Sequence, residues 1–236
     1  MIYIRSFLYM LGMWIFTPVF TTLSLFTFPL SRRTRYILIS GWARSMLWWL
    51  KVTCGLSYRV IGRENIPDHP SVILCKHQSA WETLALQQIF PPQVWVLKRE
   101  LLWIPFFGWG LALTSPIAIN RAAGREALKQ LVSKGKERLA QGFFVVIFPE
   151  GTRVPPGTTG KYHIGGAWLA THSKSTVVPV AHNAGEYWGK NSFLKRPGTI
   201  TLSIGRPIDT QGIKADALNQ RVEAWIEQEM RLLDRK

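Results

Sequence analysis

His77 and Glu82, five residues apart, are the side chains of this sequence best suited to acid–base chemistry. On a continuous helix, with about 100° per residue, that spacing would put them on different faces. The apolar residues 71–75 predict a buried strand, and Ser79 is a suitable N-cap for a helix that follows it. A turn between strand and helix brings the pair together, so that the carboxylate holds one imidazole nitrogen while the other accepts a proton.

The same residues also allow two purely structural interpretations. Ser79 and Glu82 fit the S-x-x-E capping box, in which the glutamate reaches back to the backbone amide of the serine. A single histidine at the end of a strand is, moreover, often a hydrogen-bonded structural residue. The spacing alone leaves these alternatives open beside the catalytic one.

A second polar segment follows residues 143–148, FFVVIF, which are typical of a central strand buried on both faces. It supplies a carboxylate, a turn-forming glycine, a hydroxyl and a guanidinium, from Glu150 through Gly151 and Thr152 to Arg153. Placing such groups beside a buried strand is costly unless they meet other charges. The planar guanidinium of Arg153 suits a phosphate group, whereas a Glu150–Arg153 ion pair that closes the turn is the structural alternative.

Polar side chains also follow three other predicted strands. They are Lys98 and Arg99, Asn120 and Arg121, and His182 and Asn183. Since the carboxyl ends of parallel strands lie along one edge of a sheet, we expect these groups to converge with His77 and Arg153. His182 is the weakest candidate, because a structural role suits it equally well with Pro179 in its strand.

From about residue 55 onward, short apolar runs alternate with helical patterns. This alternation predicts an α/β fold with a mixed, mostly parallel sheet flanked by helices. The predicted strands are residues 58–61, 72–75, 94–97, 117–119, 143–148, 177–180 and 199–204. The predicted helices are residues 79–89, 101–113, 125–141, 167–173 and 216–233, of which the last has the pattern of a packing helix with no site of its own.

Residues 6–30 contain no charged side chain and are long enough to cross a hydrocarbon core of about 30 Å. Pro18 should kink or break the helix that they form. The arginines and tryptophans of residues 32–50 suit the headgroup region of a bilayer. We therefore predict a membrane-associating helical hairpin or anchor at 1–55, which spans the bilayer or re-enters one leaflet, and an α/β domain at 56–236. A buried helical hairpin of a soluble protein is the alternative.

The formal net charge is +15, from 29 Lys and Arg residues against 14 Asp and Glu residues. This excess predicts an anionic partner, such as an anionic bilayer surface or a phosphorylated substrate. We expect no nucleic acid, since the sequence has no Cys/His finger, RNP-like aromatic strand or basic repeat. The two cysteines form no disulfide framework, which fits a cytosol-facing environment. The histidines lack metal-ligand spacing, so we expect no metal.

The chain resembles the glycerolipid acyltransferases, specifically the bacterial 1-acyl-glycerol-3-phosphate acyltransferases. The resemblance covers roughly residues 60–205 through four blocks in the same order, at 77–82, 117–121, 148–153 and 178–180. The block F-P-E-G-T-R is specific, and the four together are very specific. A Lys-x-Glu-Leu segment that begins at Lys98 also matches.

This resemblance implies a glycerol-3-phosphate acyltransferase-like fold and the transfer of an acyl chain from acyl-CoA or acyl carrier protein to the sn-2 hydroxyl of lysophosphatidic acid. The product would be phosphatidic acid for phospholipid synthesis, with no cofactor beyond the acyl donor. It implies His77 as general base and Glu82 as its orienting carboxylate. It also implies a set of substrate-binding residues, namely Lys98, Asn120, Arg121, Glu150, Gly151, Thr152 and Arg153.

We expect the enzyme at the inner (cytoplasmic) membrane with its catalytic domain facing the cytoplasm. The alternatives are another lyso-lipid acceptor, or a catalytically inactive lipid-binding protein. The sequence departs from the family at two places: Glu82 replaces the usual aspartate, and residues 162–166 lack a lysine that relatives often have. The first change keeps the charge, so we expect function to be kept, and the second bears on phosphate affinity and the choice of acceptor.

Overall fold

Short β-branched and aliphatic runs form the strands of the computed structural model, which describes residues 1–120 and 123–233. The strands are β1 (Leu56–Ile61), β2 (Val72–Cys75), β3 (Gln93–Lys98), β4 (Ile117–Ile119), β5 (Phe144–Ile147), β6 (Val177–His182) and β7 (Gly198–Ile204). The helices are α1 (Ile2–Leu25), α2 (Arg32–Ile39), α3 (Gly41–Cys54), α4 (Trp81–Ile89), α5 (Phe107–Leu113), α6 (Gly124–Ala140), α7 (Gly165–Ser173), α8 (Ala184–Tyr187) and α9 (Ala215–Leu233). The prediction of an α/β fold is confirmed.

The seven strands form a sheet in the order β1-β7-β6-β2-β5-β3-β4. The neighbours pair in parallel except β6 and β7, which are antiparallel. Strands β2 to β6 therefore run in one direction, and their carboxyl ends lie along the same edge. The mostly parallel sheet is as predicted, and this edge is where His77, Lys98 and residues 149–153 follow their strands.

Both faces of the sheet are covered by helices, as strand β2 illustrates. Its residues are all buried, and their side chains alternate between two cores because successive side chains of a strand point to opposite faces. Val72 and Leu74 pack in the core that contains α7 and α9. Ile73 and Cys75 pack in the core that contains α3 and α4. The strand that leads into His77 is therefore held from both sides.

The N-terminal helices pack against this body. Helix α1 is continuous through Pro18, so the expected break does not occur. Contacts lie on both sides of the proline: a side chain at Gly12 would collide with the indole of Trp49, and Thr21 Oγ1 donates to the Phe106 carbonyl at 3.0 Å. These contacts hold the helix where one backbone hydrogen bond is missing. By length and composition α1 could cross a membrane, and 22% of its apolar window is buried.

Most element boundaries differ from the sequence-based prediction by one or two residues, and three differences near the site have a clear form. Helix α4 begins at Trp81, because residues 76–80 form the turn between β2 and the helix. The helix predicted at 101–113 is a 3-10 turn, Arg99–Trp103, followed by α5. Pro105 explains the interruption, since the residue before a proline disfavours helical geometry, and Ile104 is extended. The short helix α8 was not predicted. The division into parts 1–55 and 56–236 stays a prediction.

Candidate active site

The imidazole of His77 is held in place by two neighbours. Its Nδ1 lies 2.7 Å from Glu82 Oε1, and its ring stacks on Phe148 with centroids 3.9 Å apart. Because a carboxylate only accepts hydrogen bonds, Nδ1 carries the proton and donates it. The other nitrogen, Nε2, has no hydrogen-bond partner among residues 1–120 and 123–233. With the side chain 14% exposed and lining a cavity, Nε2 is left to accept a proton.

Glu82 is fully buried and makes the contacts that both the catalytic and the capping interpretation require. Its Oε1 accepts hydrogen bonds from the His77 ring and from the backbone amides of Gln78 and Ser79, at 3.0 and 2.9 Å. Its Oε2 accepts a further one from the Ser79 amide at 3.1 Å. One carboxylate thus closes the turn before α4 and fixes the tautomer of His77.

His182 lies behind this pair and serves a structural role. It is fully buried; Nε2 donates to the Lys76 carbonyl at 2.9 Å, and Nδ1 accepts from the Ala184 amide at 3.2 Å. Burial lowers the pKa of His182, so the ring is neutral. Burial alone would raise the pKa of Glu82, but the adjacent His182 and His77 rings, which attract the carboxylate when they are protonated, and the hydrogen bonds from His77 and the Ser79 amide hold it below its ordinary value. The carboxylate is therefore ionised at neutral pH.

A cavity of about 470 Å³ lies beside His77. Its polar lining comes from the strand ends and from the loop after α8, including His77, Lys98, Gly151, Thr152, Arg153, Lys190 and Asn191. Its apolar lining comes largely from α1, α3, α5 and β3, including Phe20, Trp42, Trp95, Leu97, Phe107 and Leu111. One space thus combines an imidazole, several cations and an apolar surface.

The cations that line this cavity lack carboxylate partners among the described residues. Within the described part of the chain, neither Arg153 nor Lys98 forms an ion pair. The suggested pair between Glu150 and Arg153 is absent, since the Glu150 carboxylate lies 3.1 Å from Lys76 Nζ instead. Gly151, at φ +68°, provides the turn that leads from the strand to Arg153. The guanidinium is thus available to an anion.

Glu150 lies apart from the other residues of its motif. Its buried carboxylate is not among the groups that line the cavity, and Oε2 accepts a hydrogen bond from the His77 amide at 3.0 Å. Burial raises the pKa of Glu150 to about 7, although Lys76 opposes the shift. The structure therefore brings Glu150 to the backbone of His77 and not to the cavity.

One further predicted substrate-binding residue is not brought into the cavity. Asn120 is exposed at the end of the edge strand β4 and does not line it. Arg121 lies outside the described residues. No group of three or more His, Cys, Asp or Glu side chains among the described residues could hold a metal ion. The expectation of a metal-free enzyme stays a prediction.

Sequence reasoning missed three charged residues near the site. Lys190 lines the cavity, with Nζ 3.4 Å from Thr152 Oγ1, but it follows a short helix and carries no motif. Lys76 and Glu227 form an ion pair behind His77, in which the lysine is buried and the glutamate partly buried. A lysine directly after a buried strand was a signal for Lys76, since a buried ammonium needs a partner. Nothing in the sequence pointed to Glu227 on α9.

Known proteins are similar to this chain in sequence and in fold. A family model described as Acyltransferase matches residues 57–183. The chain is 48% identical over 232 residues to a 1-acyl-sn-glycerol-3-phosphate acyltransferase of Pseudomonas aeruginosa, covering 96% of this chain and 90% of that protein. It is 30% identical over 191 residues to the protein of the same name from Saccharomyces cerevisiae, covering 77% of this chain and 61% of that one.

Among solved structures, the 1-acyl-sn-glycerophosphate (LPA) acyltransferase PlsC from Thermotoga maritima has the same fold, with a TM-score of 0.81. The match covers 99% of this chain and 96% of that chain at 22% sequence identity. The family model spans more than half of the chain, and the Pseudomonas relative matches nearly all of it. The chain therefore belongs to the acyltransferase family, as an enzyme of the 1-acyl-sn-glycerol-3-phosphate acyltransferase type.

Proposed function

We propose that the enzyme transfers a fatty acyl chain from acyl-CoA or acyl carrier protein to the sn-2 hydroxyl of lysophosphatidic acid, giving phosphatidic acid for phospholipid synthesis. One observation carries this proposal: His77, held by Glu82, lines the same cavity as Arg153, which has no carboxylate partner in the described residues. A base beside an available guanidinium suits a hydroxyl nucleophile that is carried on a phosphate monoester.

In the proposed reaction, His77 moves one proton. The acceptor hydroxyl gives its proton to Nε2 while its oxygen attacks the thioester carbonyl carbon and forms the new C–O bond. The tetrahedral intermediate then collapses, the C–S bond breaks, and the departing thiolate takes the proton back from Nε2. Glu82 stabilises the transient imidazolium through its 2.7 Å hydrogen bond. General-base assistance of this kind contributes about 10²- to 10⁴-fold in rate.

Direct transfer between the two substrates fits the site better than an acyl-enzyme. No cysteine is among the described residues that line the cavity. Cys75, close to His77 in the chain, is fully buried, and burial raises the pKa of its thiol well above its usual value. Ser24 lines the cavity from α1, but its hydroxyl donates to the Thr21 carbonyl at 2.7 Å.

The cavity lining suggests how the acceptor would bind. Arg153, Lys98 and Lys190 would hold the phosphate, with the Thr152 hydroxyl beside Lys190 as a further donor. A hydrogen bond to a charged group contributes roughly 1.5–3 kcal/mol. The apolar surface from α1 and α5 would take an acyl chain. Three cations exceed what an acceptor without a phosphate monoester needs, which favours lysophosphatidic acid over other lyso-lipids.

We further propose a monotopic attachment to the inner membrane, with the catalytic domain in the cytoplasm. Two contacts support it: Ser6 Oγ accepts a hydrogen bond from the Lys195 amide, and Thr21 Oγ1 donates one to the Phe106 carbonyl, both at 3.0 Å. These contacts lie about 22 Å apart along α1, at about 1.5 Å per residue. A helix held to the body over that length cannot cross a bilayer alone, whereas its exposed apolar face can enter one leaflet.

The function is tested with purified enzyme in detergent, given a panel of lyso-lipids and both kinds of acyl donor. We expect transfer to lysophosphatidic acid with wild type and none above background with His77→Ala. Preference for another lyso-lipid would contradict the proposed acceptor. Comparison of acyl-CoA with acyl carrier protein identifies the donor.

Attachment is tested by labelling single cysteines introduced at positions 2 and 33, in a background that lacks Cys54 and Cys75. We expect both positions to react only from the cytoplasmic side. Labelling of position 2 from the opposite side would show that α1 spans. Release of the protein by salt or carbonate alone would defeat both geometries.

A further inference from the structure

Lys76, the residue before His77, carries a buried charge that the proposed reaction does not use. Its side chain is 1% exposed, and Nζ lies 2.7 Å from Glu227 Oε1 and 3.1 Å from Glu150 Oε1. The contact with Glu150 is an ion pair without a well-directed hydrogen bond. Because a buried ammonium is unfavourable without partners, the two carboxylates compensate for its burial and determine where it lies.

The backbone of His77 is held on both sides by the segment that contains Glu150. The His77 amide donates to Glu150 Oε2 at 3.0 Å, and the His77 carbonyl accepts from the Val154 amide at 2.8 Å. One carboxylate, that of Glu150, therefore touches both the Lys76 ammonium and the His77 backbone. A shift of Glu150 would move the histidine relative to Glu82.

Glu227, on α9, lies far from Lys76 and Glu150 in the chain but joins them to form one cluster of charged residues. Its Oε1 accepts hydrogen bonds from Lys76 and from the Tyr162 hydroxyl, the latter at 2.9 Å. Its Oε2 accepts one from Thr159 Oγ1 at 2.8 Å. All these partners lie on the strand end and on the loop between β5 and α7, so Glu227 ties the C-terminal helix to both.

We propose that Lys76 and Glu227 are positioning residues for acyl transfer. Glu227 holds Lys76, Lys76 holds Glu150, and Glu150 holds the backbone from which the His77 imidazole faces the cavity. Helix α9, predicted to be a packing helix without a site of its own, thereby becomes part of the active site. The inference rests on the proposed function and adds two residues that do not touch substrate.

Two substitutions test this chain of contacts. Glu227→Gln keeps the shape of the side chain and an acceptor for Tyr162 but removes the charge that faces Lys76. Lys76→Met removes the ammonium and keeps the length of the side chain. We expect kcat to fall roughly 10- to 100-fold, with KM for donor and acceptor changed less than about twofold, since small misplacements of a catalytic group have effects of this size. Neither side chain lines the cavity.

The matched control is Glu229→Gln, which removes the same charge from the same helix. Glu229 forms no ion pair in the part of the chain that the structure describes. A readout independent of turnover is the Nδ1–H signal of His77 in spectra of the enzyme with ¹⁵N-labelled histidine, identified by its loss in His77→Ala. We expect this signal to shift in Glu227→Gln and Lys76→Met, and to stay unchanged in the control.

If the cluster were merely structural, the two substitutions would lower the melting temperature but leave kcat per folded molecule and the His77 signal as in wild type. That result would overturn the inference, as would a rise of KM for the phosphorylated acceptor alone. Should Lys76→Met not fold, the isosteric Glu227→Gln decides. If wild type prefers another lyso-lipid, only the proposed acceptor fails, and the variants are compared on that lipid. If it acylates none, the proposed function fails and the His77 signal still decides the inference.

Discussion

The two sides of His77 differ in how their charges are neutralised. On the buried side, Lys76, Glu82, Glu150 and Glu227 are each compensated by other protein groups. On the cavity side, Arg153 and Lys98 have no carboxylate partner in the described residues. We infer that charges with partners in the folded protein hold the site in position, and that charges without partners are available to bind substrate. Changes on the buried side should therefore affect kcat and stability, and changes on the cavity side should affect KM.

The largest effect is expected from His77→Ala, at the boundary between the two sides. Loss of the general base should lower kcat by about 10²- to 10⁴-fold. The melting temperature should change little, because the side chain lines a cavity and exposes no core when it is removed. Turnover assays and thermal unfolding of the same preparation measure kcat and the melting temperature. Activity above a few per cent of wild type in a well-folded variant would refute the assignment.

Glu82→Gln should have the next largest effect and separates orientation from capping. If the residue only capped the turn, the amide oxygen would serve nearly as well and stability alone would drop slightly. If Glu82 instead orients the His77 imidazole and stabilises its protonated form, Glu82→Gln should lower kcat by about 10²-fold or more, within the range of general-base catalysis. Glu82→Asp, which keeps the charge, is the control and should retain substantial activity.

Arg153→Ala tests the cavity side. It should raise KM for the phosphorylated acceptor roughly 10- to 100-fold, as expected for one hydrogen bond to a charged group, with a small effect on KM for the donor. Its melting temperature should equal that of wild type, because no partner is left uncompensated. Arg99→Ala, at an exposed arginine outside the cavity lining, is the control. A loss of folded protein would mean that Arg153 is structural. The same kinetics on Arg121→Ala tests its sequence-based assignment.

Lys190→Ala should have a smaller effect on the same side. The lysine is exposed, so its contribution to phosphate binding is screened, and KM for the acceptor should rise about two- to fivefold. Lys174→Ala, at an exposed lysine outside the cavity lining, should leave KM unchanged. An equal rise for the acyl donor would place Lys190 at the donor site.

The smallest effect concerns the pH dependence of stability on the buried side. Burial raises the pKa of Glu150 to about 7 in the folded enzyme, above its value in the unfolded chain. Between these two values the folded state binds more protons, so this residue makes stability fall as pH rises towards 7. Glu150→Gln removes that dependence. Its melting temperature relative to wild type should rise by a few degrees from about pH 5 to about pH 7. A relative melting temperature that does not rise over this range would mean that Glu150 is charged throughout.

Sequence patterns predicted the features that depend only on residues close together in the chain. Strands β2 and β4 have the predicted bounds, because their apolar runs are followed directly by the polar residues Lys76 and Asn120. The pairing of His77 with Glu82 followed from one strand, one turn and one helix. Both predictions depend on residues that are close together in the chain.

Contacts between distant segments could not be predicted in this way. The partner of Glu150 is Lys76 and not the neighbouring Arg153, and Glu227 lies on a helix whose apolar stripe indicated packing alone. Lys190 reaches the cavity only because α8 and the following loop fold over the sheet edge. Of the kink or break predicted at Pro18, the break does not occur for a similar reason, since tertiary contacts on both sides of the proline hold α1 together.

Helix α1 is synthesised before one of the segments that it packs against. Ser6 Oγ bonds the Lys195 amide, and the Lys195 ammonium lies 5.3 Å from the centre of the Tyr9 ring. Strand β1 likewise has β7 as its neighbour in the sheet. While the ribosome adds the intervening residues, the side of α1 that carries Ser6 and Tyr9 lacks these partners, so the helix has its exposed apolar face to attach by, and lipid is the surface that can cover that face. We therefore expect the nascent chain to reach the bilayer before its sheet is complete.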